Sequence, residues 1–270
     1  KWIAATRKLC PDSANKLDPR HNPVTVSIHG DIKKITTEVK RWESDPRRRN
    51  PLTKSMLEHL LKKHLHCAPH GFTAAIKNWF TLGLHIGPRQ AKWAQQDGVK
   101  TPETCDKNTD GTNKAFVVTD MKCFGPNRRR MTHLDAVTTR TQVQTVDIKW
   151  RFQKNGNNGQ EKTATCNRQD PAVCGVNAAL DILQRAMLLN LPDDHPLAVH
   201  ADNGTHTGTV RFIQAHQIAF TLQEVAKEWC GITDKRELML FSFTACRHLR
   251  STSRSRIRCH VHQICSAMDL

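Results

Sequence analysis

Four apolar residues alternate strictly with polar neighbours near the middle of the chain: Val146, Ile148, Trp150 and Phe152. This period of two is typical of a strand with one buried face. Asn-Gly pairs at 155–156 and 158–159 supply turn residues, and residues 162–166 can return as a partner strand. The sequence therefore predicts a β-hairpin that carries Lys154 near its tip.

Helical spacing dominates the chain before this hairpin. Apolar residues at i, i+3, i+4 and i+7 predict helices over residues 31–42 and 72–84, and a helix near 56–61 capped by Thr53 or Ser55. Pro88 is suited to the first turn of a short helix that ends at Gln95, and residues 115–119 read as a short strand.

Helical spacing returns after the hairpin. Asp170 followed by Pro171 predicts the start of a helix with an apolar face from Val176 to Met187. A further helix is expected over residues 212–229, with Trp229 pointing inward. Helices, a small sheet and helices again predict an α+β fold.

Charge indicates a polyanionic partner. The 270 residues include 41 Lys and Arg against 25 Asp and Glu, a formal charge of +16. Such a surplus attracts nucleic acid or an acidic membrane surface. Since no apolar run is long enough to span a membrane and no basic amphipathic helix stands out, nucleic acid is favoured. The ten cysteines show no disulfide framework, and reduced thiols in an intracellular protein are expected.

Three segments resemble the tyrosine recombinases. Residues 80–89 (FTLGLHIGPR) resemble the family's first box, in which an apolar helix ends in a turn that carries an active-site arginine. Residues 151–156 (RFQKNG) resemble its lysine-bearing hairpin, and residues 241–247 (FSFTACR) its second box. The tripeptide Trp93-Ala94-Gln95 and the Gln-Lys-Asn-Gly run after Trp150 resemble the integrase-like proteins of eukaryotic mobile elements in particular.

The resemblance implies a mainly helical catalytic domain with a small antiparallel sheet, and it assigns roles. Arg89 and Arg247 would hold the scissile phosphate with bidentate guanidinium groups, without a metal or another cofactor. Lys154 would donate a proton to the leaving oxygen. Thr244 stands where the family has histidine, and a threonine cannot act as a base near neutral pH.

The family's nucleophile is missing, because the chain contains no tyrosine at all. A tyrosine hydroxyl normally attacks phosphorus and forms a covalent protein–DNA link. The resemblance therefore predicts a DNA-binding protein that does not cleave strands in the family's usual way.

The predicted organisation has three parts. Residues 1–46 correspond to the remnant of an N-terminal helical core-binding domain, 47–247 to the recombinase-like domain, and 248–270 to a basic, irregular tail. Arg47, Arg48 and Arg49 at the boundary are either a solvated linker or a contact along the DNA backbone, and Arg151 is a further candidate DNA contact.

Double-stranded DNA is the expected partner, and neither a membrane nor a small-molecule substrate is expected. The family implies multimers assembled on DNA through an exchanged C-terminal segment. Because that segment is missing here, weak or absent assembly is expected. Nuclear location follows for such a protein in a eukaryotic cell.

Two alternatives stay open: a non-catalytic nucleic-acid-binding module, and the product of a decayed mobile element. The His/Cys clusters at 64–70 and 259–265 lack the paired spacing of structural zinc sites, so no metal is expected.

Overall fold

A computed structural model describes residues 32–35, 37–38, 50, 52–88, 93–108, 110–151 and 159–241. The chain divides into two compact units, Lys1–Arg48 and Arg49–Leu270. In the first unit, residues 32–35 and 37–38 are helical, in agreement with the helix predicted there, and Ile35 is exposed.

The second unit combines α-helices with small antiparallel sheets, so a mixed helix-and-sheet class is confirmed. Its helices are α1 Lys54–Lys63, α2 Phe72–Ile86, α3 His133–Thr138, α4 Gly175–Leu188, α5 Ala215–Cys230 and α6 Lys235–Leu238. Its strands are β1 Met121–Phe124, β2 Arg130–Met131, β3 Thr145–Lys149, β4 Glu161–Thr165, β5 Val199–Ala201 and β6 Val210–Phe212.

Helices α1 and α2 form where the apolar spacing predicts them. The Thr53 hydroxyl accepts a hydrogen bond from the Met56 N–H, so Thr53 is the cap of α1. Helix α2 ends at Gly87, whose φ of 65° is a left-handed conformation that glycine adopts without strain. Because α2 buries side chains around most of its circumference, it lies inside the unit, packed against α4.

The predicted hairpin is confirmed and belongs to a larger sheet. Strands β3 and β4 pair antiparallel, with Val146 opposite Ala164, in a four-stranded sheet of order β2-β1-β3-β4. Below the turn, the Trp150 N–H donates to the Gln160 carbonyl at 2.8 Å. One face of this sheet is buried in the core through Met121, Cys123, Val146, Ile148 and Ala164.

Several boundaries differ from the sequence prediction. Residues 115–119 are not a strand, because Asp120 Oδ2 accepts the Val117 N–H and closes a 3-10 turn over Val118–Asp120. Trp93 and Gln95 are not helical: the Gln95 N–H donates to the Ile213 carbonyl. The helix predicted to start at Asp170 and Pro171 begins later in the chain, at Gly175. Pro171 begins a 3-10 turn instead, and Cys174 is the cap of α4.

The helix predicted over residues 212–229 begins later than expected, and its last apolar residue is exposed instead of buried. Phe212 belongs to β6, which pairs with β5, and α5 begins at Ala215. Trp229 is 51% exposed, so the prediction that it points inward was wrong. It lies in the last turn of α5, where its ring meets His59 of α1 at a centroid distance of 5.4 Å.

We expect the second unit to lose stability as the pH falls from 7.5 to 5.5. Burial lowers the pKa of His195 and His200 below the ordinary value of 6.5. Arg185 and Arg211 lower the pKa of His200 further, whereas Asp202 opposes them. In this window the unfolded chain binds more protons than the folded one, so protons favour unfolding below pH 6.5. Urea midpoints measured at both pH values test this.

His200→Gln is the control for that pH dependence. Glutamine does not titrate, so the midpoint of the variant should fall less between pH 7.5 and 5.5 than that of the parent chain. An equal fall in both proteins would assign the effect to other groups.

Candidate nucleic-acid interface

Most of the predicted site residues lie outside the described part of the chain. These are Arg47, Arg48, Arg49, Arg89, Lys154, Thr244 and Arg247. Their roles stay predictions. What the structure gives is the geometry of the residues on either side of them, and the position of Arg151.

Arg151 forms an ion pair at the base of the hairpin. Its Nε donates to Asp120 Oδ2 at 2.6 Å, and Nη2 donates to the Thr119 hydroxyl at 3.1 Å. Burial raises the pKa of Asp120, while the Val117 N–H and the guanidinium of Arg151 counter that rise. Arg151 thereby fastens the hairpin base to Val118–Asp120, and its proposed contact with DNA stays a prediction.

An aromatic cluster joins the places where the chain leaves α2 and enters the hairpin. Trp79 of α2 stacks on Trp93 at 5.1 Å and on Phe116 at 6.2 Å between ring centroids. Phe116 meets Trp150 edge to face at 5.7 Å. Trp79, Trp93, Phe116 and Trp150 are all at most 3% exposed. Trp93, which directly follows residues 89–92, and Trp150, two positions before residue 152, are therefore held in one rigid cluster.

The C-terminal end of α2 is fixed against the start of α4. The ring Nε2 of His85 lies 2.7 Å from the Val173 carbonyl oxygen, a hydrogen bond in which the ring donates. A Cβ at Gly175 would lie 2.7 Å from the His85 ring, so the close approach requires glycine there. The turn at Gly87 and Pro88 thus starts from a firmly placed helix end.

A basic turn between β1 and β2 was missed by the sequence reasoning. Asn127 and Arg128 have φ values of 54° and 56°, a left-handed geometry that costs about 1 kcal/mol or more for each such residue. Arg128 offsets this cost: its Nη2 donates to Asp147 at 2.8 Å, and its guanidinium carbon lies 4.7 Å from the Phe124 ring centroid. The signal in the sequence is a Gly-Pro-Asn turn followed by three arginines.

Among the described residues, no group of three or more His, Cys, Asp or Glu side chains could hold a metal ion. In the same part of the chain, no helix is both long and apolar enough to cross a membrane. Five described cysteines are free thiols, namely Cys67, Cys105, Cys123, Cys166 and Cys174.

Comparison with known proteins gives no relative: no protein-family model matches this chain, and no curated protein or solved structure matches it significantly.

Proposed function

We propose that this chain is a DNA-binding protein of the tyrosine recombinase type. Duplex DNA would lie against the second unit, with one phosphate between Arg89 and Arg247 and with Lys154 approaching from the hairpin. Two planar guanidinium groups suit the non-bridging oxygens of a phosphate.

The observation that supports the proposal best is the aromatic cluster of Trp79, Trp93, Phe116 and Trp150. Arg89 lies four positions before Trp93, and Lys154 four positions after Trp150. Because an extended chain spans at most about 3.6 Å per residue, the Cα atoms of Arg89 and Lys154 lie no more than about 15 Å from the Cα atoms of Trp93 and Trp150, respectively. Trp93 and Trp150 are in turn linked by three ring contacts through Trp79 and Phe116. Two residues 65 positions apart in the sequence are therefore tethered to one cluster.

Binding without cleavage is the form of the function proposed for this chain. It holds no tyrosine, and Thr244 is a hydrogen-bond donor where the family has a proton-transferring histidine. A nicked duplex should therefore yield no covalent protein–DNA adduct, and such an adduct would favour an enzyme with another nucleophile. Nuclear location and weak or absent assembly of copies on DNA belong to the same proposal.

The test is the salt dependence of duplex binding. Fluorescence anisotropy with a 30-bp duplex between 50 and 200 mM NaCl gives the slope of log K against log salt. Each lost phosphate contact should reduce the magnitude of this slope by about 0.9. We expect Arg89→Ala to show that reduction and a weaker affinity at every salt concentration.

Lys62→Ala is the matched control. Lys62 is an exposed cation of α1 with no ion pair among the described residues, so its loss changes the net charge by the same amount. Equal effects of the two substitutions would mean that the chain binds DNA through its overall charge alone. That result, or a failure to bind at all, would contradict the assignment of Arg89 to a phosphate site.

A further inference from the structure

The four-stranded sheet has a second face that points away from the core. The register of the strands places nine side chains on it, which we call the outer sheet face: Lys122, Phe124, Arg130, Thr145, Asp147, Lys149, Glu161, Thr163 and Thr165. The β4 residues of this face, Glu161, Thr163 and Thr165, are all exposed, as are Arg130 and Lys149.

Both carboxylates of the outer sheet face are already paired. Asp147 is 4% exposed and accepts hydrogen bonds from Arg128 Nη2 at 2.8 Å and from the Thr163 hydroxyl at 2.6 Å. Glu161 accepts one from Lys122 Nζ at 2.6 Å. These pairs neutralise the acids and use Arg128 and Lys122.

A surplus of positive charge remains. Arg129, Arg130 and Lys149 are exposed and have no ion pair among the described residues. The turn that presents the arginines is held by two backbone hydrogen bonds, from the Gly125 N–H to the Arg129 carbonyl at 2.9 Å and from the Arg129 N–H to the Pro126 carbonyl at 3.1 Å. Because Arg128 is bound to Asp147, the charges that remain available to a partner at this turn are those of Arg129 and Arg130.

We propose that the outer sheet face, with Arg129 and Arg130 at its edge, is a second contact for the phosphate backbone of duplex DNA. This inference rests on the proposed function and adds a surface to it. Strand β3 runs from the arginine turn, near Thr145, to the hairpin base at Lys149. At about 3.3 Å per residue the two ends lie roughly 13 Å apart, which corresponds to about four base pairs of rise. One bound duplex can therefore reach both.

Duplex DNA suits this face better than an anionic membrane does. Peripheral membrane binding combines basic residues with apolar side chains that insert below the headgroups. Phe124, the apolar side chain of this face, is half-buried, and the Arg128 guanidinium covers its ring. Thr165, an exposed threonine of this face, carries a hydroxyl that is a suitable donor to a phosphate oxygen.

The experiment compares R129A/R130A with K62A/K227A, a control that removes two exposed cations from α1 and α5. Arg128 is kept in both, so that Asp147 stays paired. The salt slope on the 30-bp duplex should fall in magnitude by about 1.8 for R129A/R130A, with at least a tenfold loss of affinity at 100 mM NaCl. A clearly smaller change in the control supports the proposal.

Three other outcomes would overturn it. If the parent chain binds duplex DNA and responds to Arg89→Ala, but R129A/R130A behaves like its control, this surface fails and the proposed function stands. If the parent chain does not bind duplex DNA, both fail. If R129A/R130A loses binding to vesicles with 30% anionic lipid while it keeps its DNA affinity, the surface belongs to a membrane contact.

Discussion

Trp79→Ala is expected to lower the free energy of unfolding of the second unit by about 3–5 kcal/mol. The indole is fully buried and stacks on Trp93 and Phe116. Alanine would therefore remove two ring contacts and leave a cavity in the core beside α2. A domain is commonly stable by only about 5–15 kcal/mol. The variant should therefore have a much lower urea midpoint than the parent chain, measured from the loss of the circular dichroism signal.

Trp229→Ala is the matched substitution at an exposed position. Its indole is 51% exposed and meets the ring of His59 in α1, so we expect a loss of about 0.5 kcal/mol or less. Comparable losses in the two variants would mean that the aromatic cluster does not organise this unit. A loss confined to Trp79→Ala would show that the buried aromatic cluster contributes much of the stability of this unit.

Asp120→Ala is the second substitution for which we expect a large effect, about 3 kcal/mol or more. The carboxylate is buried and accepts hydrogen bonds from both the Val117 N–H and Arg151 Nε. Alanine would leave a buried backbone donor and a largely buried guanidinium without their acceptor. Chemical denaturation at pH 7.5 measures the loss.

A double-mutant cycle separates the ion pair from the backbone bond. In Asp120→Ala/Arg151→Met no guanidinium remains to be stranded, so the double variant should be more stable than Asp120→Ala alone. If the loss in the double variant equals the sum of the losses in Asp120→Ala and Arg151→Met, the two side chains are not coupled. The ion pair then plays no part in holding the hairpin.

The helices and the central hairpin could be predicted because their periodic patterns are long enough to be recognised. Helix α2 carries an apolar stripe over four turns, and β3 alternates through Val146 and Ile148, with Trp150 continuing the alternation just beyond its end. Strands β2 and β5 have two and three residues, which is too short for any alternation to be visible.

Other differences come from contacts between distant or polar groups. Residues 115–119 have β-rich composition, yet the Asp120 carboxylate bonds the Val117 N–H and turns the chain. Trp229 continues the apolar stripe of α5 at the correct spacing, but the helix has by then passed the end of the core. Arg128 and Asp147 meet only because β1 and β3 pair, which no local pattern reveals. Of the candidate site, the roles of Arg89 and Lys154 come from the resemblance alone, and they stay predictions.

The first and last described residues of the second unit lie close together, and this matters while the protein is being made. The Asn50 N–H donates to the Leu240 carbonyl at 2.9 Å, and Lys63 of α1 forms an ion pair with Glu228, 165 positions later. At about 5–20 residues per second, a ribosome needs roughly 10–30 s to synthesise that interval. During that time α1, which packs against both α2 and α5, lacks α5, and part of its buried surface is open to other nascent chains. Chaperone occupancy of a growing chain should therefore persist until α5 has emerged.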